Sequence, residues 1–293
     1  MPEQMKNPEF GRKVFFLGPS YTTKMTIIDN LRSMEYEVYT IDNYRIAKNI
    51  LRHNKDAILF LNTDNMFPIP VWVAFLQSFV IDPVLKTILI GILSERIKEA
   101  DAQMIFSKLE LCAGVTAIGG DLSKVTEVIK GVLDYNGAKG RRQYVRASCF
   151  NDPNCMAYWN FNGKMHRLKI LDISSVTVAV KIPPTLRGIL RPGIKLPNAT
   201  LILGKKYLVL NLNSYIIKEN PDGEVAIFLY DGDVAPAIKK EIQNYIFDSL
   251  QQQMMFSINN EPEDREDYIH YAEQDRTLNR EVQQIVSKHM KEQ

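Results

Sequence analysis

Cysteine is scarce in this chain: Cys112, Cys149 and Cys155 are its only three in 293 residues. So few thiols, at these spacings, exclude the disulfide framework of a small secreted domain and point to a reducing, cytoplasmic setting. Long apolar runs are lacking too. The longest, residues 69–81, is interrupted by Pro70, Gln77 and Ser78. A bilayer span needs about 20 apolar residues, so no membrane insertion is expected. The opening segment MPEQMKNPEFGRK has no apolar centre and does not read as a signal peptide. Glycine-rich phosphate loops, nucleophile elbows and paired-histidine motifs are absent, and the chain is not expected to be an enzyme. What remains is an ordinary globular composition, 45% hydrophobic and 24% charged, which excludes wholesale disorder.

Acidic residues are missing from one block. The net charge of +2 conceals a strong asymmetry: residues 139–218 hold 14 Lys/Arg against only Asp152 and Asp172, a charge of +12. Residues 1–138 carry −1 and residues 219–293 carry −9. A basic block of that size favours anionic partners, or is neutralised by the acidic C-terminal part.

Residues 12–135 alternate short apolar runs with amphipathic stretches. KVFFLG (13–18), YEVYTI (36–41), DAILFLN (56–62), TILIGIL (87–93) and GVTAIGG (114–120) read as strands. The segment 22–34 places Met25, Ile28, Leu31 and Met34 at helical spacing, and 122–135 does the same with Leu122, Val125, Val128, Ile129 and Val132. Five βα units predict a doubly wound parallel sheet covered on both faces. The pattern stops at the small residues 136–140, which read as the start of a linker, 136–146. The texture then becomes β, with seven closely spaced strand-like runs divided by Gly163, Pro183-Pro184, Pro192-Gly193 and Gly204, the pattern of a small antiparallel barrel or sandwich. A helix is expected over 234–255, and a charged C-terminal helix opening at Pro262 within 258–293. Along that last helix Tyr271, Leu278 and Ile285 recur every seven residues, a short coiled-coil seam or a docking face.

The five βα units resemble the receiver domain of two-component signalling, but the positions that carry receiver chemistry do not match. Strand one ends in Leu17-Gly18-Pro19-Ser20 without a carboxylate, strand three ends at Asn62, and strand five offers no lysine; only Ser94, after strand four, fits. Magnesium-assisted phosphoryl transfer needs carboxylates to hold the metal. Asp64 is the alternative acceptor if strand three ends two residues later. The expectation is a degenerate receiver-like domain, 12–135, with a structural or protein-binding role.

In the basic block, Arg142 and Arg146 form an R-x-x-x-R, and Asp172-Ile173-Ser174-Ser175-Val176-Thr177 follows about thirty residues later. Together these resemble the PilZ domain, a β-barrel family that binds cyclic di-GMP, whose motifs are R-x-x-x-R at the entry and [D/N]-x-S-x-x-G on an early strand. The resemblance covers about 139–250 and implies a PilZ barrel, 141–250, with a closing helix. The fold class expected is therefore α/β plus β: a receiver-like parallel-sheet domain, then an antiparallel barrel with C-terminal helices. It also implies a signalling receptor whose ligand is cyclic di-GMP, bound by Arg142, Arg146, Asp172 and Ser174, with Arg141 adding a phosphate contact. Guanidinium forks meet the O6/N7 edge of guanine and stack on bases; a carboxylate accepts from guanine N1–H and N2–H; a hydroxyl donates to phosphate. Ligand capture would change the arrangement of the modules and the binding of a protein partner, which the resemblance places in motility or envelope machinery.

Thr177 departs from the motif glycine. A β-branched residue disfavours positive φ and occupies ligand space. Two alternatives therefore stand: a PilZ-like adaptor that has lost nucleotide binding, and, less favoured, a nucleic-acid binder using the basic block, with Tyr158, Trp159 and Phe161 as stacking residues. Arg pairs and D-x-S turns also have ordinary structural uses. Cys149, Cys155 and His166 do not have zinc spacing, and neither a metal nor a cofactor is expected.

Overall fold

The computed structural model describes residues 10–97, 101–102, 105–106, 109–221, 223–275, 280, 282, 284 and 287. The chain forms two compact units, one of residues 1–143 with 254–293 and the other of residues 144–253.

The first unit is built on a five-stranded parallel sheet, β1 (Val14–Leu17), β2 (Val38–Ile41), β3 (Ile58–Asn62), β4 (Leu89–Ser94) and β5 (Val115–Ala117), in the order β2-β1-β3-β4-β5. Helices cover both faces, so β1 and β3 are buried at every position. Val14, Phe16, Ile58 and Phe60 share one core with Ile27, Leu31, Ile129 and Leu133. Each such side chain contributes roughly 1.5–3 kcal/mol by leaving water. The helices described in full are α1 (21–33), α2 (Tyr44–Arg52), α3 (Ile69–Ile81) and α4 (Leu122–Tyr135). The segment 97–111, between β4 and β5, lies partly outside the described residues.

Two helix faces differ from their predicted spacing. A π turn over Lys24–Ile28, in which the Asp29 N–H reaches back to the Lys24 carbonyl, rotates α1. Ile27 is thereby buried and Met25 left 54% exposed, because a five-residue turn carries the apolar face round. In α4, Val128 faces solvent while Leu133 takes the buried place.

The C-terminal segment belongs to the first unit and is not helical from Pro262. The backbone of 262–264 bonds to α2 instead of to itself. Asn49 Nδ2 donates to the Pro262 carbonyl at 2.8 Å, Arg45 Nη1 to that of Asp264 at 3.0 Å, and the Asp264 N–H to that of Arg45 at 2.8 Å. Only then does a short helix, Tyr268–Gln274, begin, capped by Asp267. Tyr268 is buried edge-on against Phe75 of α3, ring centres 5.3 Å apart, and the Lys48 ammonium lies 5.0 Å from its ring centre. Leu278 and Ile285 of the predicted seam lie outside the described residues.

The second unit is a closed antiparallel barrel. Its strands are β6 (Arg146–Ser148), β7 (Cys155–Phe161), β8 (Lys164–Ser174), β9 (Thr177–Lys181), β10 (Lys195–Leu203), β11 (Lys206–Asn220) and β12 (Gly223–Tyr230). The order β8-β7-β10-β11-β12-β9 closes through β9–β8, and β6 adds to the edge of β8. All seven predicted β segments are strands, and closure decides for a barrel over a sandwich. The helix α5 (Pro236–Ser257) seals it with Ile242 and Ile246, which share a core with Trp159, Leu168, Val180, Leu201 and Phe228.

The ion pair between Lys48 Nζ and Asp264 Oδ2, 3.1 Å apart and with side chains 6% and 8% exposed, pins the C-terminal segment. Burial would raise the Asp264 carboxyl, but hydrogen bonds from the Tyr268 hydroxyl, the Glu266 N–H and Lys48 hold it below the usual carboxylate range. Its contribution is therefore complete above about pH 4 and is lost as pH falls through the depressed value. Urea titration should show Lys48→Ala costing about 3 kcal/mol, because it leaves a buried carboxylate unpaired. Asp264→Asn should flatten the acid limb of the stability–pH curve; an unchanged acid limb would refute the assignment.

Candidate functional site

The turned end of β8 and the short strand beside it carry Asp172, Ser174 and Arg146 of the residues singled out in the basic block. Along the first part of β8, His166, Leu168 and Ile170 point inward while Arg167 and Lys169 point out. Strict alternation would then bury Asp172. Instead the register against β9 slips between Ile170 and Asp172, an irregularity at Leu171 that returns Ile173 to the core and sends Asp172 outward.

The short strand β6 pairs with this turned end of β8. Arg146 lies opposite Ser174, Ala147 opposite Ile173 and Ser148 opposite Asp172. Ala147 and Ile173 are buried in the core, so Arg146 and Ser148 share the outer face with Asp172. Arg146 and Ser148 are exposed and Asp172 is half-buried. Arg141 and Arg142 are exposed in the first unit, where the Arg142 guanidinium lies 4.2 Å from the ring centre of Phe10. Residues just before them are held in place: the Arg12 N–H bonds the Gly137 carbonyl at 3.0 Å, and a Cβ on Gly11 would lie 2.0 Å from the Ala138 oxygen.

Ser174 is fully buried and its hydroxyl is engaged in the turn that follows. It accepts from the N–H groups of Val176 at 3.3 Å and Thr177 at 3.0 Å, and pairs with the Thr177 hydroxyl at 2.8 Å. The backbone at Thr177 stays out of the left-handed region, so the turn has a shape a β-branched residue accepts. The Tyr230 hydroxyl braces the same turn, donating to the carbonyls of Ser174 at 2.9 Å and Thr177 at 3.3 Å. Burial raises the Tyr230 phenol well above its ordinary value, so it remains a donor. Sequence reading misses Tyr230; a tyrosine ending a strand next to a turn is a common residue with many uses.

The cysteines have structural surroundings. Cys149 and Cys155 are free, buried and beside the Tyr245 hydroxyl, which donates to Asp152 Oδ2 at 2.7 Å. A hydrogen bond with Cys149, and then burial, push the Cys155 thiol up. His166 pairs across the ladder with Trp159. Among the described residues no three His, Cys, Asp or Glu side chains come together to hold a metal ion. No described helix is long and apolar enough to cross a membrane.

In the first unit the carboxyl edge of the sheet is closed by its own side chains. β3 ends at Asn62, whose Oδ1 accepts from the Asp64 N–H at 3.0 Å. Asp64 in turn accepts from the Ser94 hydroxyl at 2.7 Å and the Glu95 N–H at 2.5 Å. Ser94 is fully buried and also caps the following turn, accepting from the N–H groups of Arg96 and Ile97. The Asp64 carboxylate thus ties the ends of β3 and β4 together. Asp121 caps α4.

No family model matches the chain, and no curated protein sequence matches it. Solved structures that resemble it include the PilZ domain with c-di-GMP of YcgR from Escherichia coli (16% identity, TM-score 0.34, 41% of this chain and 98% of that one). Another is the Bacillus subtilis inhibitor of motility MotI/DgrA (18%, 0.31, 39% and 51%). A third is the K. pneumonia MrkH–c-di-GMP complex (18%, 0.31, 41% and 56%). The matched part spans nearly all of the isolated YcgR domain but about half the length of the other two.

Removing the Ser174 hydroxyl strands the N–H groups of Val176 and Thr177. Ser174→Ala should lower barrel stability by roughly 1–3 kcal/mol in urea titration. A cost below a few tenths of a kcal/mol would show that the turn stands without it. Strand closure makes the second unit a closed antiparallel barrel, and Arg146, Asp172 and Ser174 stand on its adjoining strands β6 and β8.

Proposed function

We propose that this chain is a cyclic di-GMP receptor of the PilZ type, acting as a signalling adaptor and not as an enzyme. The observation that carries the reading is the outward row made by the irregularity at Leu171: Asp172 beside Ser148 on one barrel wall, with Arg146 one step along. A carboxylate next to a guanidinium on an exposed strand offers both faces of guanine recognition. Asp172 accepts from N1–H and N2–H, and Arg146 forks onto O6 and N7. Arg142 supplies a second guanidinium plane, already stacked on Phe10 and able to exchange that ring for a base. Arg141 adds a phosphate contact. Ser174 acts through position, by fixing the turn that ends the row.

Arg141 and Arg142 stand in one unit and Arg146 in the other. A ligand that engages both ends of this motif acts on the segment joining the units, and the output is a changed contact with a protein partner. That is a population shift: the ligand favours whichever arrangement lets both ends touch it. Cytoplasmic location and a partner in motility or envelope machinery belong to the same proposal.

The pairing of Ser174 with Thr177 favours a second reading, an adaptor that no longer captures nucleotide. Calorimetric titration with cyclic di-GMP separates the two. The receptor should saturate, and Arg142→Ala, Arg146→Ala and Asp172→Ala should each weaken binding at least tenfold, about 1.4 kcal/mol. Thr177→Gly, by releasing the Ser174 hydroxyl and clearing the wall, should strengthen it. No heat at high micromolar ligand from either the wild type or Thr177→Gly would establish the adaptor.

A further inference from the structure

The edge of β8 is handed from β6 to β7, and between them the chain leaves the sheet. The Cys149 N–H still bonds the Leu171 carbonyl at 2.8 Å, and pairing resumes with Met156 opposite Lys169. The intervening loop is folded on itself: the Asn154 N–H bonds Asp152 Oδ1 at 2.8 Å and the Cys155 N–H bonds the Asp152 carbonyl at 3.3 Å. Where it arches away it encloses a cleft of about 410 Å³, within the roughly 300–1,000 Å³ usual for small-molecule sites. Phe150, Asn151 and Asp152 form one wall, Arg167 and Lys169 the other, and Met156 contributes apolar surface.

The charges here are unbalanced. Lys169 lies directly opposite Lys181 in the β8–β9 ladder, a like-charge pair that destabilises a sheet unless an anion relieves it. Among the described residues, neither of them nor Arg167 makes an ion pair. The one acid in the cleft, Asp152, has both oxygens engaged, Oδ1 by the Asn154 N–H and Oδ2 by the Tyr245 hydroxyl. Phe150 is 57% exposed, and the Lys169 ammonium lies 4.4 Å from its ring centre. An aromatic face, an amide and two cations without an ion pair, Arg167 and Lys169, line one concave surface.

We propose that this cleft is a second binding site, for a nucleoside phosphate. The base lies on the Phe150 ring, the Asn151 amide meets its edge, and the phosphate sits between Arg167 and Lys169. Aromatic stacking and cation contacts of this kind hold a base without selecting one. This site does not rest on Arg142, Arg146 or Asp172, so its fate is separable from that of the dinucleotide site.

Equilibrium dialysis of the full chain against GMP, AMP and inorganic phosphate tests the assignment. Both nucleotides should bind saturably and more tightly than phosphate alone. Lys169→Gln and Arg167→Gln should each weaken GMP at least fivefold, and Phe150→Leu should bring GMP down to the level of phosphate. Arg146→Ala should leave AMP, which lacks the guanine edge read by Asp172 and Arg146, unchanged within twofold. These four side chains are exposed, and circular dichroism checks that each variant is folded. The proposal is overturned if GMP does not saturate, if Arg146→Ala abolishes its binding while the Lys169 and Arg167 variants retain it, or if phosphate binds as well as GMP and Phe150→Leu changes nothing.

Discussion

A single irregularity in one strand decides what the barrel shows to solvent. Were β8 regular from Lys164 to Ser174, Asp172 would follow Ile170 inward and bring a carboxylate among Leu168, Ile170 and Val180. Burying that charge without a partner would cost several kcal/mol. The slip at Leu171 lets an apolar residue re-enter the core one position later, and the acid comes out beside Arg146 and Ser148. The turn after it then has to hold its shape without glycine. The hydroxyls of Ser174 and Thr177 and the phenol of Tyr230 do this, satisfying N–H and carbonyl groups that the missing glycine leaves in a conventional turn.

The two units use polar side chains in the same way at different places. In the parallel sheet, Asp64 closes the carboxyl edge by taking the Ser94 hydroxyl and the Glu95 N–H. In the barrel, Ser174 closes a hairpin by taking two N–H groups. In both, a residue that reads as chemistry in the sequence is engaged in holding backbone. The groups left facing solvent are the cations: Arg146 on β6, and Arg167, Lys169 and Lys181 on the barrel wall.

Much of the architecture is legible because burial writes itself into composition. β1 is wholly apolar, and β3 is apolar up to Asn62, because both sheet faces are covered, and the barrel strands alternate because only one is. The π turn in α1 was not legible: nothing in Lys24–Ile28 departs from ordinary helix spacing, and the wider turn is chosen by how Ile27 and Ile28 fit the sheet. The helix expected from Pro262 gave way for a similar reason, since Arg45 and Asn49 of a distant element claim the backbone groups a helix needs. At the candidate site, residue types and order were readable, whereas the slip at Leu171 and the brace from Tyr230 depend on partners in other strands. The cleft beside Phe150 had no linear signature, because its walls come from a loop and from a strand that passes it in the opposite direction.

The Lys48–Asp264 pair has a consequence for how the molecule is made. The segment it anchors follows the barrel in the chain but belongs to the unit that precedes it. On the ribosome the parallel sheet emerges early, yet the face of α2 and α3 that receives Tyr268 stays uncovered until the whole barrel has been translated. For that interval Phe75 and its aromatic neighbours are open to chaperones or to the wrong chain. A nascent protein stalled within the barrel would display the same sticky patch, and quality control has a ready way of telling it from a finished one.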